Sequence, residues 1–257
     1  MPRTTIAFLG QCQTSGYPGV PSELTFPQVC RRAVEACRPG TSLNVFYEQY
    51  YHPSELHGAV DKALARRPRI VVVEVVGWLA IIGRGSMDLS HLPSRVRTVY
   101  DRLRHFRHVS QLIAARVPYG PQLVYRVNAR ATTMAHHILG PIIRRHARPT
   151  VAEYEELVDC EIARIADHPG VSAVIQGPGA PNLDLDSPGL APDAVERYRA
   201  VEQMARRVAA ARKALYVDRW NTVAAGFFLP GSIRPGSGGH IAWGHLLARE
   251  LMAAGLV

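Results

Sequence analysis

The sequence predicts an α/β fold: a doubly wound, five-stranded parallel sheet of order 2-1-3-4-5, interrupted by a helical insertion. Three observations carry that expectation. Short apolar, β-rich runs alternate with helix-length segments, as βαβ units require. One run, Ile70-Val-Val-Val-Glu-Val-Val76, is almost continuously apolar, the mark of a central strand buried on both faces. The alternation is suspended once, between Gly77 and Arg148, and resumes after Pro149.

Thr4 to Leu9 (TTIAFL) opens the chain as a buried strand and stops at Gly10. After a Gly/Pro-rich loop, Pro27 to Arg38 reads as a helix with proline at a tolerated first-turn position. Leu43 to Tyr47 reads as a strand, Glu55 to Arg66 as a helix and Arg69 to Val76 as the central strand. Past the interruption, Thr150 can cap a helix that carries Glu153 and runs to Asp167. Val171 to Gln176 follows as a strand, then a Pro/Gly/Asn/Asp loop from Gly177 to Ala191. A long helix presents the stripe Tyr198, Val201, Met204, Ala205, Val208 and Ala211. Leu215 to Val217 is the fifth strand, and a last helix presents Ile241, Gly244, Leu247, Ala248 and Leu251. This is a flavodoxin-like order, built from residues 1–78 and 149–257, with residues 79–148 inserted as an arginine- and histidine-rich helical cap. In such sheets ligands bind at the carboxyl ends of the strands. The insertion leaves from that edge, so it is expected to cover the site.

The chain has 257 residues, 47% hydrophobic and 20% charged, ample for a buried core and unlike a disordered composition. The longest apolar run is cut by Glu74 and continues only from Val75 to Gly83, far short of the roughly 18–20 residues of a membrane span. With no secretory apolar region at the N-terminus, the expectation is a soluble, cytoplasmic protein. Cys12, Cys30, Cys37 and Cys160 fit no zinc or redox spacing. Cys30 and Cys37, on one helical face, read as small core residues.

Of the 30 basic residues only Lys62 and Lys213 are lysine, and neither lies in a glycine-rich loop, so a Walker-type phosphate loop is absent. Between Leu79 and Arg148 twelve arginines face only Asp88 and Asp101, whereas the rest of the chain holds 18 basic and 19 acidic residues. The whole positive excess therefore sits in the insertion, and a one-signed field of that kind suits an anionic partner. His105 and His108 form a helical i,i+3 pair without a third ligand at fixed spacing, so no metal is expected.

Gly10-Gln11-Cys12-Gln13-Thr14-Ser15-Gly16, directly after the first strand, resembles the first block of the SGNH (GDSL) hydrolases, Gly-Asp-Ser-x-Thr-x-Gly, whose serine is the nucleophile. Pro235-Gly-Ser-Gly-Gly239-His240 before the last helix resembles the family's closing motif, Asp-x-x-His-Pro-x-x-x-Gly-His. Pro68 to Val76 is similar to the family's third strand and Tyr216-Val-Asp-Arg-Trp220 to its fifth. The resemblance spans the chain outside the cap, and it implies acyl chemistry. The departures matter as much. Cys12 stands at the serine position, Trp78 at the block-three asparagine, and the region of Tyr50 at the block-two glycine. Gly231 and Arg234 stand at the aspartate and histidine of the triad, and His240 matches the family's structural histidine rather than its base. An unmodified serine-hydrolase mechanism is therefore not available.

What remains is a cysteine just past a strand, where free backbone N–H groups lower a thiol pKa. Thiolate is a good nucleophile without a strong base; the bland alternative is an inert small filler. Arg234 cannot accept a proton but can stabilise a thiolate or hold a carboxylate or phosphate. His52 is the replacement base by position. Gln11, Gln13, Tyr50 and Trp78 would line the pocket, and Arg144 and Arg145 would hold the anionic part of the substrate. Glu74 reads as structural, and Asp218 as a cap or orienter of the last loop. The expected activity is ester or thioester hydrolysis, or acyl transfer, without a cofactor, on an anionic small molecule or an acyl thioester of coenzyme A or a carrier protein. Nucleic acid ranks last for want of a recognisable module, and oligomeric state stays open. Two other classes fit the same residues: a catalytically dead scaffold binding an anionic ligand or protein, and a non-acyl enzyme such as a cyclase or lyase.

Overall fold

In the computed structural model, β1 (Arg3–Gly10), β2 (Ser42–Gln49), β3 (Ile70–Glu74), β6 (Ser172–Gln176) and β7 (Leu215–Val217) form one sheet. Its order is β2-β1-β3-β6-β7, with every neighbouring pair parallel. This is the expected 2-1-3-4-5 order of the core strands. The structure describes residues 3–11, 14, 20–50, 53–75, 87–88, 144–145, 150–180, 194–221 and 236–257. Contacts group the chain into two units. The larger comprises Met1–Gly16, Val20–Gly83 and Pro149–Val257, and the smaller Tyr17–Gly19 and Arg84–Arg148.

Strand alternation builds two cores, because successive side chains point to opposite faces. On one face Ile6, Phe8, Ile70, Val72, Val174 and Val217 pack against α1 (Phe26–Cys37) and α5 (Ser237–Ala253). On the other, Ala7, Leu9, Val71, Val73 and Ile175 meet α2 (Leu56–Ala65), α3 (Val151–Ala166) and α4 (Ala194–Arg212). All five residues of β3 are buried, as its near-continuous apolar text requires. The α1–α5 contact is close because Gly244 has no side chain: a Cβ there would lie 2.5 Å from the Val29 Cβ and 2.8 Å from the Phe26 carbonyl.

Local signals act where the sequence places them. Thr150 accepts from the Glu153 amide at 3.1 Å and Glu153 accepts from the Thr150 amide at 2.6 Å, a complete capping box for α3. Pro27 falls in the first turn of α1. Bidentate arginine pairs then fix α4 to α3: Arg207 on Glu155, and Arg212 on Asp159.

Four expectations need correction. Cys30 is fully buried and burial pushes its thiol up to about 12, but Cys37, the last residue of α1 and beyond its buried stripe, is exposed. The buried stripe of α4 closes on Ala209, and Ala211 is exposed. In α5 the stripe runs through His240, Trp243, Gly244, Leu247 and Leu251, which leaves Ile241 at its margin, 37% exposed. Within the smaller unit, Arg144 and Arg145 are not helical. They form β5 (Arg144–Arg145), antiparallel to β4 (Met87–Asp88). Periodicity marks which residues share a face but not where that face runs past the partner layer. The rest of the expected helical cap lies outside the described residues.

Candidate active site

The carboxyl ends of the strands bring together groups that the sequence keeps far apart. Glu74 ends β3 beside Gln176, which ends β6, and Gln176 pairs in turn with Val217 of β7. Glu74 follows Val72 by two residues, so it points to the α1/α5 face. There its carboxylate is buried and doubly engaged. Oε2 accepts from the Thr14 hydroxyl at 2.7 Å, and Oε1 accepts from Arg219 Nη1 at 3.0 Å.

Arg219 is 1% exposed, and burying a guanidinium costs several kcal/mol unless its charge and donors are met. They are met from three sides. Glu74 supplies the counter-charge, the Gly177 carbonyl accepts from Nε, and the Trp243 ring of α5 lies under the guanidinium at 4.1 Å. The network therefore ties the chain just after β1, the end of β3, the loop after β6, the loop after β7 and the face of α5. Gly10 is required by this approach, because a Cβ there would collide with the Thr14 hydroxyl and lie 2.5 Å from Glu74 Oε2.

Tyr50 braces the same edge from the opposite face. It is fully buried, its amide donates to the Gly10 carbonyl at 3.0 Å, and its hydroxyl donates to the Glu74 main-chain oxygen. Its amide and hydroxyl are thus both committed within the protein. Gln11 is buried, and the Thr14 amide donates back to its carbonyl at 2.8 Å. Gln11 Nε2 and both carboxamide atoms of fully buried Gln176 have no hydrogen-bond partner among the described residues. Asp218 orients the last loop: Oδ1 accepts from the amides of Trp220 and Asn221 at 3.0 and 3.3 Å, while Oδ2 takes Arg206 at 2.7 Å.

His240 is buried against Phe26 and Trp243, and its Nδ1 accepts the Phe26 amide at 3.2 Å. Burial, and then the Arg219 charge, push its pKa down to about 3, so it stays neutral and structural. Cys12, Gln13, His52, Trp78, Gly231 and Arg234 lie outside the described residues, as do the side chains of Arg144 and Arg145. No cluster of metal-ligating side chains occurs among the described residues, and none of their helices is long and apolar enough to cross a membrane.

Sequence reasoning passed over Thr14, Arg219 and Gln176. Arg219 had a signal: it lies two residues past Val217, on the alternation that carries Val217 inward, and a strand acid such as Glu74 needs a cation when buried.

No family model and no curated protein matches the chain. Solved structures do. The lipase/acylhydrolase from Enterococcus faecalis aligns at TM-score 0.60 and 15% identity, over 98% of this chain and 96% of its own. A GDSL-like lipase from Parabacteroides merdae aligns at TM-score 0.57 and 10% identity, over 99% and 96%. The chain has the SGNH-hydrolase fold. Est24, a carbohydrate acetylesterase from Sinorhizobium meliloti, aligns at TM-score 0.54 and 11% identity, over 98% and 99%. At these identities the likeness is one of fold. Within the SGNH fold, the Thr14–Glu74–Arg219 network occupies the carboxyl edge, where doubly wound sheets bind their ligands.

Proposed function

We propose that the chain is an SGNH-like enzyme of acyl chemistry in which Cys12 replaces the serine nucleophile. The observation that carries this reading is the anchoring of the segment after β1. Gly10-Gln11 leads directly into Cys12, and two residues later Thr14 is pinned to the buried Glu74–Arg219 pair. A nucleophile needs such a fixed position to attack along one line. The Cys12 thiolate adds to the carbonyl carbon of an ester or thioester. The C–O or C–S bond to the leaving group then breaks, and the leaving group takes a proton, with His52 as its carrier. Water or an acceptor hydroxyl attacks the acyl-cysteine, releasing the acid or the transferred ester and returning the proton and the thiolate. Arg234 stabilises the thiolate, Gln11 and Gln13 offer polar contacts, Tyr50 and Trp78 form apolar walls, and Arg144 and Arg145 hold the anionic part of the substrate.

Alkylation followed by peptide mass spectrometry tests this. Cys12 should react with iodoacetamide faster than exposed Cys37 and Cys160, and far faster than buried Cys30, with a pH midpoint below the usual ~8.5. Cys12→Ala should abolish turnover of acyl thioesters while leaving the folded state intact. Wild-type activity on small activated esters should be low, because losing one oxyanion donor typically costs about 10²–10³ in rate. An unreactive Cys12 together with full turnover in Cys12→Ala would sink the reading and favour a binding scaffold.

A further inference from the structure

At the opposite, amino edge of the sheet lies an open groove of about 660 Å³. It is lined by the end of α2 and the loop entering β3, with Leu64, Arg67 and Arg69, and by the loop entering β6, with His168, Pro169 and Gly170. The two loops are locked side by side, since Arg69 donates its amide to Thr5 and accepts the Ser172 amide, both at 2.9 Å. The groove lies about 17 Å along β3 from the Glu74 end, five residues from Arg69 at ~3.3 Å per residue.

Its lining carries two arginines and no acidic residue. Two acids of the flanking helices are already engaged, Asp61 by Arg164 and Asp159 by Arg212. Arg67 and Arg69 are exposed and have no acidic partner among the described residues. Arg67 is also held at φ +51°, in the left-handed region where glycine is favoured at a helix end. The cation preference of the α2 C-terminus is met by Lys62 and Arg66, so neither capping nor the helix dipole accounts for an arginine there. The Gly170 amide, at φ +76°, gives no hydrogen bond to the described residues, and Pro68 and Pro169 have none to give.

We propose that this groove binds a phosphate-bearing small molecule through Arg67, Arg69 and the Gly170 amide, as a second site apart from the acyl chemistry. One carboxylate saturates a single guanidinium fork, whereas a phosphate offers three acceptor oxygens to two forks and an amide. The volume leaves room for an organic body against Leu64 and Pro169.

Thermal unfolding titrated with inorganic pyrophosphate at fixed ionic strength tests the site. The wild-type melting temperature should rise with pyrophosphate as binding to the native state requires. Arg67→Gly/Arg69→Gln should bind at least about tenfold more weakly, as loss of two charge-assisted contacts implies. Arg67→Gly removes the left-handed strain, so this variant should not melt lower without ligand, and Arg69→Gln alone should show part of the loss. Arg144→Gln/Arg145→Gln should keep the part of the rise that Arg67→Gly/Arg69→Gln loses, which separates this site from the substrate-binding role given to those residues. The proposal is overturned by no rise in wild type, by an equal rise in Arg67→Gly/Arg69→Gln, by a rise lost only in Arg144→Gln/Arg145→Gln, or by citrate acting as strongly as pyrophosphate. None of these outcomes bears on Cys12.

Discussion

Replacing Glu74 by Gln tests the buried network most directly, because it keeps shape and removes only charge. Arg219 is 1% exposed and Glu74 4%, so water does not enter to replace the lost carboxylate. Removing one partner of a buried pair costs about 3–5 kcal/mol through the charge left behind. Here the Gly177 carbonyl, the Trp243 ring and the amide oxygen of the new glutamine offset part of that. The expected loss is therefore near the lower end, about 3 kcal/mol, or a drop of roughly 6–12 °C in melting temperature for a chain of this size. Urea unfolding should show a lower midpoint with an unchanged slope, since the same surface is exposed. Glu74→Gln/Arg219→Met removes the orphaned charge as well, and should recover about 1–3 kcal/mol relative to Glu74→Gln. A loss under about 1 kcal/mol in the single variant, or a double variant less stable than the single one, would refute a dry, mutually compensating pair.

Gly244→Ala sets about 1 kcal/mol of helix propensity against a Cβ lying 2.8 Å from the Phe26 main-chain oxygen; backbone cannot yield cheaply, so a net loss of about 1–3 kcal/mol by chemical denaturation is expected. Thr150→Ala removes one half of the α3 capping box and should cost about 1 kcal/mol, with no change in cysteine alkylation rates. The folded pKa of His240 is depressed from 6.5 to about 3, so its contribution is fully present above pH 6.5 and is lost as pH falls toward 3. Protonation would convert the Nδ1 acceptor of the Phe26 amide into a donor, and the loss reaches up to about 5 kcal/mol at the acid limit. His240→Gln should be less stable than wild type at pH 7 but flatter between pH 6.5 and 3, and an unchanged acid limb would count against this assignment.

The order of strands and helices was legible in the text because it rests on local physics. The IVVVE run carries the signature of a central strand, Thr150 and Glu153 cap a helix by chain-local hydrogen bonds, and βαβ connections leave few ways to arrange a sheet. The Cys12 block was legible as a resemblance for the same reason, being contiguous in sequence and attached to a strand end. Register and depth were not. Cys37 and Ile241 fall near the right helical faces yet are exposed, because burial depends on where the opposing layer ends. Thr14, Glu74 and Arg219 lie 60 and 145 residues apart in their two contacts. Their meeting follows only from parallel pairing that aligns the carboxyl ends of β1, β3, β6 and β7 and turns alternate side chains to one face. Charge showed the same division: composition placed the positive excess in residues 79–148, but which arginines of the larger unit keep a free charge was decided by acids brought from other helices and strands. Sequence specifies what each segment can bury or bond, and the packed sheet decides which of those groups find each other, since a buried ion pair is defined by distance in space and by the exclusion of water.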